Sequence, residues 1–350
     1  MLFKPVSFLD KIIFTKNLSL MIKAGLPIWE GLTIIKEQSN NKSFKKILDK
    51  IAKDVNNGQP LAVSLSRHPG VFDDLYINMI KIGEESGTLE ESLSRLSLQL
   101  EKSFQLKEKI KMAMIYPAII MAAVVILGAA LAFFILPKII PVFKALDIQL
   151  PLATRILIGF TEVAQNYGLF IMFSLFFLAA AFAFLLRLRA VKFFFDKLVL
   201  ILPIVGPISR NIILSNSSRT LGILLKSGIP VVSALKITQN SLTNLVFQKE
   251  LKGAEDEVKK GKTISNYLKK KEKVFPLMVS RMVAVGEKTG NLEETLSYIS
   301  DFYEAEVDKS AKNLSTVFEP ILLLIVGLAV GLIAIAIISP IYEITRGLRI

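Results

Sequence analysis

Long apolar stretches interrupt an otherwise mixed pattern of polar and hydrophobic residues in this chain of 350 residues. No charged residue occurs at 112–137, 163–186 or 320–342. Each stretch contains roughly 20 apolar residues, which is the length that an α-helix needs to cross about 30 Å of hydrocarbon. The pattern therefore predicts three transmembrane helices. We place them at residues 112–136, 168–186 and 317–339.

Outside these stretches, apolar residues recur at spacings of three and four, as at Leu89, Leu93, Leu96 and Leu100. This period is typical of amphipathic helices, and no Asn-Gly or Asp-Gly turn is flanked by the alternating pattern of a β-hairpin. Glycine and proline breaks separate about six short helices in each polar region. The predicted fold is an all-α membrane protein with two homologous cytoplasmic antiparallel helical bundles and three transmembrane helices.

The two polar regions are copies of one unit. Residues 17–147 align without a gap on residues 220–350, at a constant offset of 203 positions. AGLP at 24–27 corresponds to SGIP at 227–230, and GEESGTLEESL at 83–93 corresponds to GEKTGNLEETL at 286–296. Similarity that extends so far without a gap indicates an internal duplication.

The repeated eleven-residue segment predicts a helical hairpin. Gly87 follows a stretch with helical spacing and suits the left-handed end of a helix. Thr88 is a good N-cap for the next helix, and Glu91, three residues later, completes a capping box. The equivalent residues in the second copy are Gly290, Asn291 and Glu294. In addition, Pro27 and Pro230 suit the first position of a helix.

The distribution of basic residues predicts the topology. Residues 1–111 and 187–312 carry 38 of the 43 lysines and arginines. Two spans between these regions place both on the same side of the membrane, and the positive-inside rule identifies that side as the cytoplasm. The predicted domains are a cytoplasmic bundle at 1–111, an outer loop at 137–167, a second cytoplasmic bundle at 187–316 and a short outer tail at 340–350, with the three spans between them.

Composition excludes several classes of chemistry. The chain has no cysteine and one histidine, His68, so disulfides, thiolate metal sites and most histidine-based catalysis are absent. A Gly-Lys-Thr triplet at 261–263 lacks the earlier glycine of a phosphate-binding loop, since Asp256 holds that position. The net charge of +13 is accounted for by topology rather than by nucleic-acid binding. We therefore predict no catalytic, cofactor or metal residues and no nucleic-acid partner.

The Gly-Glu pairs at 83–84 and 286–287 have three possible explanations. A carboxylate in the last turn of a helix opposes the helix dipole by about 0.3–1 kcal/mol, and a glycine inside a helix costs about 1 kcal/mol relative to alanine. The glycine would let another helix approach, and the glutamate would form a hydrogen bond or ion pair there. Alternatively, the glutamates bind a cation or a partner protein, or they are exposed beside Lys81 and Lys288.

These motifs, together with Tyr116-Pro117 and Glu319-Pro320, resemble those of the type II secretion protein F family over nearly the whole chain. The resemblance marks candidate structural or partner-contact residues in each copy. They are Gly25, Pro27, Gly83, Glu84, Gly87, Glu91 and Pro117, and then Gly228, Pro230, Gly286, Glu287, Gly290, Glu294, Glu319 and Pro320.

The resemblance implies a multi-pass, non-enzymatic platform in the bacterial inner membrane, with its N-terminus in the cytoplasm and its C-terminus outside. Such a platform would couple a cytoplasmic hexameric assembly or retraction ATPase to pilins or pseudopilins. It would also contact other inner-membrane pilus or secretion components and form a homo-oligomer.

Two other functions compete with the platform. A transporter or channel would need broken helices or ionisable residues at the membrane midplane, and the predicted spans show neither. A membrane protease or transferase would need a nucleophile and a base, and no such motif is found.

Overall fold

The computed structural model describes residues 5–130, 134 and 152–347. The described residues form helices and no strand. They divide into two compact units, one made of Met1–Glu108 with Lys192–Lys309 and the other of Lys109–Val191 with Ser310–Ile350. The first unit therefore contains the polar regions of both repeats, and the second contains the apolar stretches.

The first repeat contains six of the described helices, α1 to α6. They are α1 (Phe8–Lys23), α2 (Ile28–Gln38), α3 (Lys42–Asn56), α4 (Leu61–Ser66), α5 (Asp74–Ser86) and α6 (Leu89–Ala130). Two helices follow before the second repeat, α7 (Leu152–Leu185) and α8 (Arg189–Ile201). The second repeat is α9 (Val205–Lys226), α10 (Val231–Ser241), α11 (Leu245–Lys259), α12 (Ile264–Lys269), α13 (Leu277–Thr289) and α14 (Leu292–Gly347).

The duplication in sequence is reproduced in the backbone. Helices α2 to α5 begin and end 203 residues before α10 to α13. The glycines with positive φ follow the same offset, because positions 25, 58 and 87 match positions 228, 261 and 290. Each of these glycines lies between two helices. Its backbone is in the left-handed conformation, which glycine adopts more readily than any other residue.

Polar caps and prolines fix the starts of several helices. Asn41 accepts hydrogen bonds from the amides of the first turn of α3, and its equivalent Asn244 does the same for α11. Ser7 and Asp10 form a capping box at α1. Pro27 and Pro230 were expected at the first helical position, but each has ψ near 140° and is the N-cap, one residue earlier. A proline in the extended conformation at the N-cap also keeps the residue before it out of the helical conformation, so the preceding turn ends there.

Aromatic side chains fill the core of the first unit. In the first repeat, Phe14 packs against Phe44 and Phe72 at ring-centroid distances of 5.7 Å each, and Phe72 packs against Tyr76 at 4.9 Å. The Tyr76 hydroxyl lies 2.9 Å from that of Thr15, and burial raises the pKa of Tyr76 well above its usual range. In each case a buried ring contributes about 1.5–3 kcal/mol by leaving water.

The second unit contains the candidate membrane helices. Among the described residues, α6 and the 166–185 part of α7 each contain a stretch long and apolar enough to cross a membrane. The pair α8 and α9, bent by 107°, meets the same criteria only if both count as one broken span. Buried arginine and serine residues in α9 argue for a place in the core instead. By length and composition alone, the described residues contain two candidate spans, and the α8–α9 pair, which these buried residues disfavour, would be a third.

Other predicted segments lie partly outside the described residues. The predicted third span at 317–339 lies inside the continuous helix α14, several of whose side chains are outside the described residues. Of the predicted outer loop, residues 137–151 are also outside them, and helix α7 already begins at Leu152. The sides of the membrane on which these segments lie remain predictions.

Candidate functional site

The repeated hairpin brings α5 and α6 into close contact at Gly83. A Cβ atom added to Gly83 would lie 2.7 Å from the Ser92 hydroxyl oxygen and 2.9 Å from the Leu89 Cα. In the second repeat, a Cβ on Gly286 would lie 2.9 Å from the Leu292 Cα and would also meet Thr295. Only glycine leaves room for the following helix at these two places.

Glu84 reaches across to the start of α4. One carboxylate oxygen accepts a hydrogen bond from the Leu61 amide at 2.5 Å, and the other accepts one from the Ala62 amide at 2.8 Å. The N-cap of α4 is Pro60, which offers no side-chain hydrogen bond. The first turn of a helix carries amides without partners inside the helix, and Glu84 satisfies two of them.

The second repeat repeats this arrangement with one addition. Glu287 accepts hydrogen bonds from the amides of Ile264 at 2.5 Å and Ser265 at 3.2 Å, at the start of α12. Here the N-cap is Thr263, whose hydroxyl also accepts a hydrogen bond from the Asn266 amide. The start of α12 therefore has two caps, whereas the start of α4 has one.

The geometry accounts for a carboxylate at an unfavourable position. Glu84 opposes the dipole of its own helix by about 0.3–1 kcal/mol, but its charge complements the dipole of α4. Hydrogen bonds to a charged group contribute about 1.5–3 kcal/mol, so the contact with the start of α4 outweighs the cost. Lys81 lies 3.8 Å from Glu85 rather than beside Glu84. Contact with a neighbouring helix is the explanation that the distances favour.

The capping box expected at the start of α6 has a different arrangement. The Thr88 hydroxyl is 2.7 Å from the Ser86 hydroxyl, and Glu91 forms an ion pair with Arg95. Glu294 bonds to the side-chain amide of Asn291. The turn between the helices is only two residues long, so the Thr88 side chain is within reach of Ser86 in the preceding helix. The prediction of a capping box was therefore wrong in its contacts.

The remaining sequence candidates lie at turns or inside long helices. Gly25 and Gly228 have φ of 83° and 80° between the first two helices of each repeat. Pro117 lies inside α6, and Glu319 and Pro320 lie inside α14. In the part of the chain that the structure describes, no group of three or more histidine, aspartate and glutamate side chains is placed to hold a metal ion.

A polar seam joins the two repeats and was not predicted. On the α6 side, Gln99 donates to the Thr220 hydroxyl at 3.0 Å, and Ser103 donates to Asn216 at the same distance. Arg95 donates to the Ser227 hydroxyl at 3.1 Å. We call Arg95, Gln99, Lys102 and Ser103 the α6 seam face, and Asn216, Thr220 and Ser227 the α9 seam face.

An ion-pair network extends the seam to α14. Arg219 forms a buried ion pair with Glu304, and Lys102 of the first repeat lies 2.9 Å from the same carboxylate. The Nη1 atom of Arg219 is buried without a hydrogen-bond partner in the structure as described. One carboxylate thus connects a cation from each repeat.

A groove of about 800 Å³ runs beside this network and is lined by both basic and acidic side chains, among them Lys226, Glu293 and Asp301. The sequence holds one signal for the seam, the polar run SNSSRT at 215–220 between the apolar runs IIL and LGILL of the same helix. A polar run in a helix interior indicates a polar neighbour, but it does not identify that neighbour.

Two parts of the chain match one protein family. The family model for the type II secretion system (T2SS) protein F matches residues 14–137 and again residues 217–340. Together the two matches cover more than half of the chain. The chain belongs to this family. The matched ranges are offset by the same 203 residues that relate the helices of the two repeats, so each repeat is one copy of the family domain.

Curated members of the family are similar to the chain over nearly its whole length. The type IV pilus assembly protein PilC of Myxococcus xanthus is 34% identical over 97% of this chain and 81% of its own length. PilC of Pseudomonas aeruginosa is 33% identical over 97% of this chain and 91% of its own length. The type II secretion system protein F of Aeromonas hydrophila is 32% identical, with coverages of 95% and 86%.

Proposed function

We propose that this protein is the inner-membrane platform of a type IV pilus or type II secretion-like machine. In this role it couples a cytoplasmic hexameric ATPase to the assembly of pilins or pseudopilins into a filament. The observation that carries the proposal is the pair of family domains, each ending in a helix that continues into an apolar segment. Members of the family are inner-membrane components of pilus and secretion machines.

The proposed topology places both polar regions, as antiparallel bundles of about six helices each, in the cytoplasm. The support is the concentration of 38 of 43 basic residues in 1–111 and 187–312, next to the apolar stretches. The N-terminus would then be cytoplasmic and the C-terminus outside. A cytoplasmic motor would reach both bundles from the same side.

The long helices would transmit movement from the bundles. Helix α6 is continuous over 42 residues, or about 60 Å at 1.5 Å per residue, and α14 is continuous over 56 residues. In each bundle the Gly-Glu hairpin fastens the last short helices to the base of the long one. A force on the bundle would therefore move the long helix with it, because the close contact in the hairpin leaves little space for the two helices to slide past one another.

In the membrane, pilin or pseudopilin helices would pack against small residues. A Cβ atom at Gly128, Gly327 or Gly331 would have nothing within 4 Å in the structure. Small residues at an open helix face let a second helix approach closely, which is how membrane helices associate without a hydrophobic driving force.

Site-directed crosslinking tests the ATPase partnership. Glu85 and Lys288 occupy equivalent, exposed positions on α5 and α13. Because the chain has no cysteine, Glu85→Cys and Lys288→Cys each carry a single reactive thiol. In native membranes of a cell that holds the cognate machine, we expect an adduct between at least one of these thiols and the hexameric ATPase. The equivalent positions also show which bundle faces the motor.

Topology is checked in the same cells with a thiol reagent that does not cross the membrane. Arg346→Cys, in the tail predicted to lie outside, should react in intact cells, whereas Glu85→Cys and Lys288→Cys should react only after lysis. Reaction of the bundle thiols from outside would contradict the topology and the proposed function together. The absence of an ATPase adduct at several exposed positions would contradict the coupling alone.

A further inference from the structure

The two seam faces have equivalents in the opposite repeats, and these equivalents are uncovered. Offset by 203 residues, Arg95 and Gln99 of α6 correspond to Tyr298 and Phe302 of α14. Gln99 is 5% exposed because α9 covers it, whereas Phe302 is 40% exposed and Tyr298 is 55% exposed. The helix face that the first repeat uses to hold the second is therefore open in the second repeat.

The same holds for the other side of the seam. Asn216 and Ile223 on α9 correspond to Ile13 and Leu20 on α1. Ile13 is 47% exposed and Leu20 is 57% exposed, although their counterparts are partly buried and Asn216 accepts a hydrogen bond from Ser103 of the first repeat. The spacing from Ile13 to Leu20 places both side chains on one face of α1.

The seam joins the repeats in one direction only, from α6 of the first repeat to α9 of the second. A two-fold arrangement of the repeats would pack α14 on α1 in the same way as it packs α6 on α9. The exposure of Phe302 and Leu20 shows that this second contact is not made within one chain. The repeats are joined head to tail, which leaves one unused face of each kind on every chain.

The unused faces differ in chemistry from the faces in the seam. The seam is polar, with hydrogen bonds such as Gln99 to Thr220, and the chain itself holds its two halves close together. A covalent link of this kind gives a high effective concentration, so a polar contact is sufficient. The unused faces carry Phe302, Tyr298, Ile13 and Leu20, the large apolar side chains that an association between separate molecules needs.

We propose that α14 of one copy packs against α1 of a second copy and continues the head-to-tail arrangement of the repeats between chains. Transferring the contacts of the seam by the repeat offset sets Phe302 against Asn17 and Tyr298 against Ala24 of the next copy. Leu20, between those two positions on α1, lies where both rings reach it. The interface specifies how the platform forms a homo-oligomer, and it does not depend on coupling to an ATPase.

Disulfide trapping in vesicles that contain only this protein tests the interface. Two full-length chains with different tags are co-reconstituted, one with Phe302→Cys and the other with Asn17→Cys. Mild oxidation should give a disulfide-linked dimer that carries both tags. A single chain with Gln99→Cys and Thr220→Cys is the matched control, because these side chains are in contact and should form a disulfide within the chain under the same conditions.

The outcomes separate the possible interfaces. Formation of the mixed dimer, without self-dimers of either variant, supports the head-to-tail contact. Self-dimers of Phe302→Cys would indicate a two-fold interface and overturn the proposal. So would the absence of any mixed dimer when the control disulfide forms. The adducts expected at Glu85 and Lys288 use other surfaces, so this failure would leave the proposed function standing.

A second variant tests the energetics without cysteines. Tyr298→Arg with Phe302→Gln installs on α14 the two residues that α6 carries at the equivalent positions. Removal of aromatic anchors from an interface weakens association about tenfold or more, which mass measurements in micelles at several concentrations would detect. In a parallel sample, Gln99→Cys and Thr220→Cys are added to the same variant, and formation of their disulfide reports that the variant is folded. Unchanged association would overturn the proposal.

Discussion

The two repeats contain the same ion pair in two different environments. Lys16 lies 2.9 Å from Glu101 in the first repeat, and the equivalent pair in the second repeat is Arg219 with Glu304. Glu101 is 31% exposed and its lysine partner is well exposed, whereas Glu304 is 11% exposed. The difference arises because α6 of the first repeat covers the pair of the second and adds a further cation, Lys102. A shared local sequence therefore gave the same contact, and the neighbouring repeat decided how much it is buried.

The largest expected effect comes from removing the carboxylate of the buried pair. Glu304→Ala leaves the buried Arg219 without its main partner, and Asp301, at 3.9 Å, is too exposed to replace it. Removing one partner of a buried ion pair costs about 3–5 kcal/mol, whereas removing one partner of an exposed pair costs about 0–1 kcal/mol. We expect Glu304→Ala to lower the free energy of unfolding by about 3 kcal/mol and Glu101→Ala by less than about 1 kcal/mol.

Urea unfolding of the full chain in micelles, followed by circular dichroism, measures both variants. The double variant with Arg219→Met is the control, since removing both charges from a buried pair recovers much of the loss. Equal losses for Glu304→Ala and Glu101→Ala would show that the seam does not protect the second pair.

A smaller effect is expected at the glutamates of the hairpin. Glu84→Ala removes the only side-chain cap of α4, while Glu287→Ala leaves Thr263 at the start of α12. Hydrogen bonds to a charged group contribute about 1.5–3 kcal/mol, so we expect a loss of about 2 kcal/mol for Glu84→Ala. The loss for Glu287→Ala should be smaller by about 1 kcal/mol, the usual contribution of a threonine N-cap.

Amide hydrogen exchange at the start of α4 and α12 measures this difference locally. The neighbouring exposed residues Glu85 and Lys288 provide matched controls, because Glu85→Ala and Lys288→Ala should change exchange little in either repeat. Faster exchange in α12 than in α4 after the glutamate substitutions would refute the role assigned to Thr263.

The glycines of the hairpin should show a similar cost in both repeats. Gly83→Ala and Gly286→Ala each place a Cβ within 2.9 Å of a backbone Cα of the next helix. Overpacking costs about 1–3 kcal/mol, and the better helix propensity of alanine offsets about 1 kcal/mol of it. We expect a net loss of about 0–2 kcal/mol in thermal or urea unfolding. Gly31→Ala is the control, since its nearest contacts would be 3.4 Å away and it should be neutral or stabilising.

The sequence predicted most of what is local in this molecule. Periodicity predicted helices, and the offset of 203 residues predicted that both repeats fold alike. The glycines at 83 and 286 and the glutamates at 84 and 287 stood out because each is unfavourable in a helix considered alone. Such a cost predicts that a partner exists, and the partners proved to be amides some 22 residues earlier in the chain.

The seam could not be predicted in the same way. Its contacts join residues more than 100 positions apart, such as Gln99 with Thr220 and Ser103 with Asn216. The two repeats have different residues at these positions, so the duplication itself gave no guide. Buried polar residues on α9 indicate a polar neighbour, but a single sequence cannot show whether α6 or another element supplies it.

The smallest expected effect concerns the glycines that follow α5 and α13, at which the two repeats should not differ. Gly87 and Gly290 have φ of 70° and 72°, and a Cβ at either glycine would meet nothing within 4 Å. Alanine in the left-handed conformation costs about 1–2 kcal/mol whatever the surroundings. We therefore expect Gly87→Ala and Gly290→Ala to lower the free energy of unfolding by the same amount, about 1 kcal/mol each. Both glycines lie in the same compact unit, so urea unfolding compares them directly. If the losses differ, the two turns are not energetically equivalent, and the contrast between Glu304 and Glu101 could then no longer be assigned to burial by α6 alone.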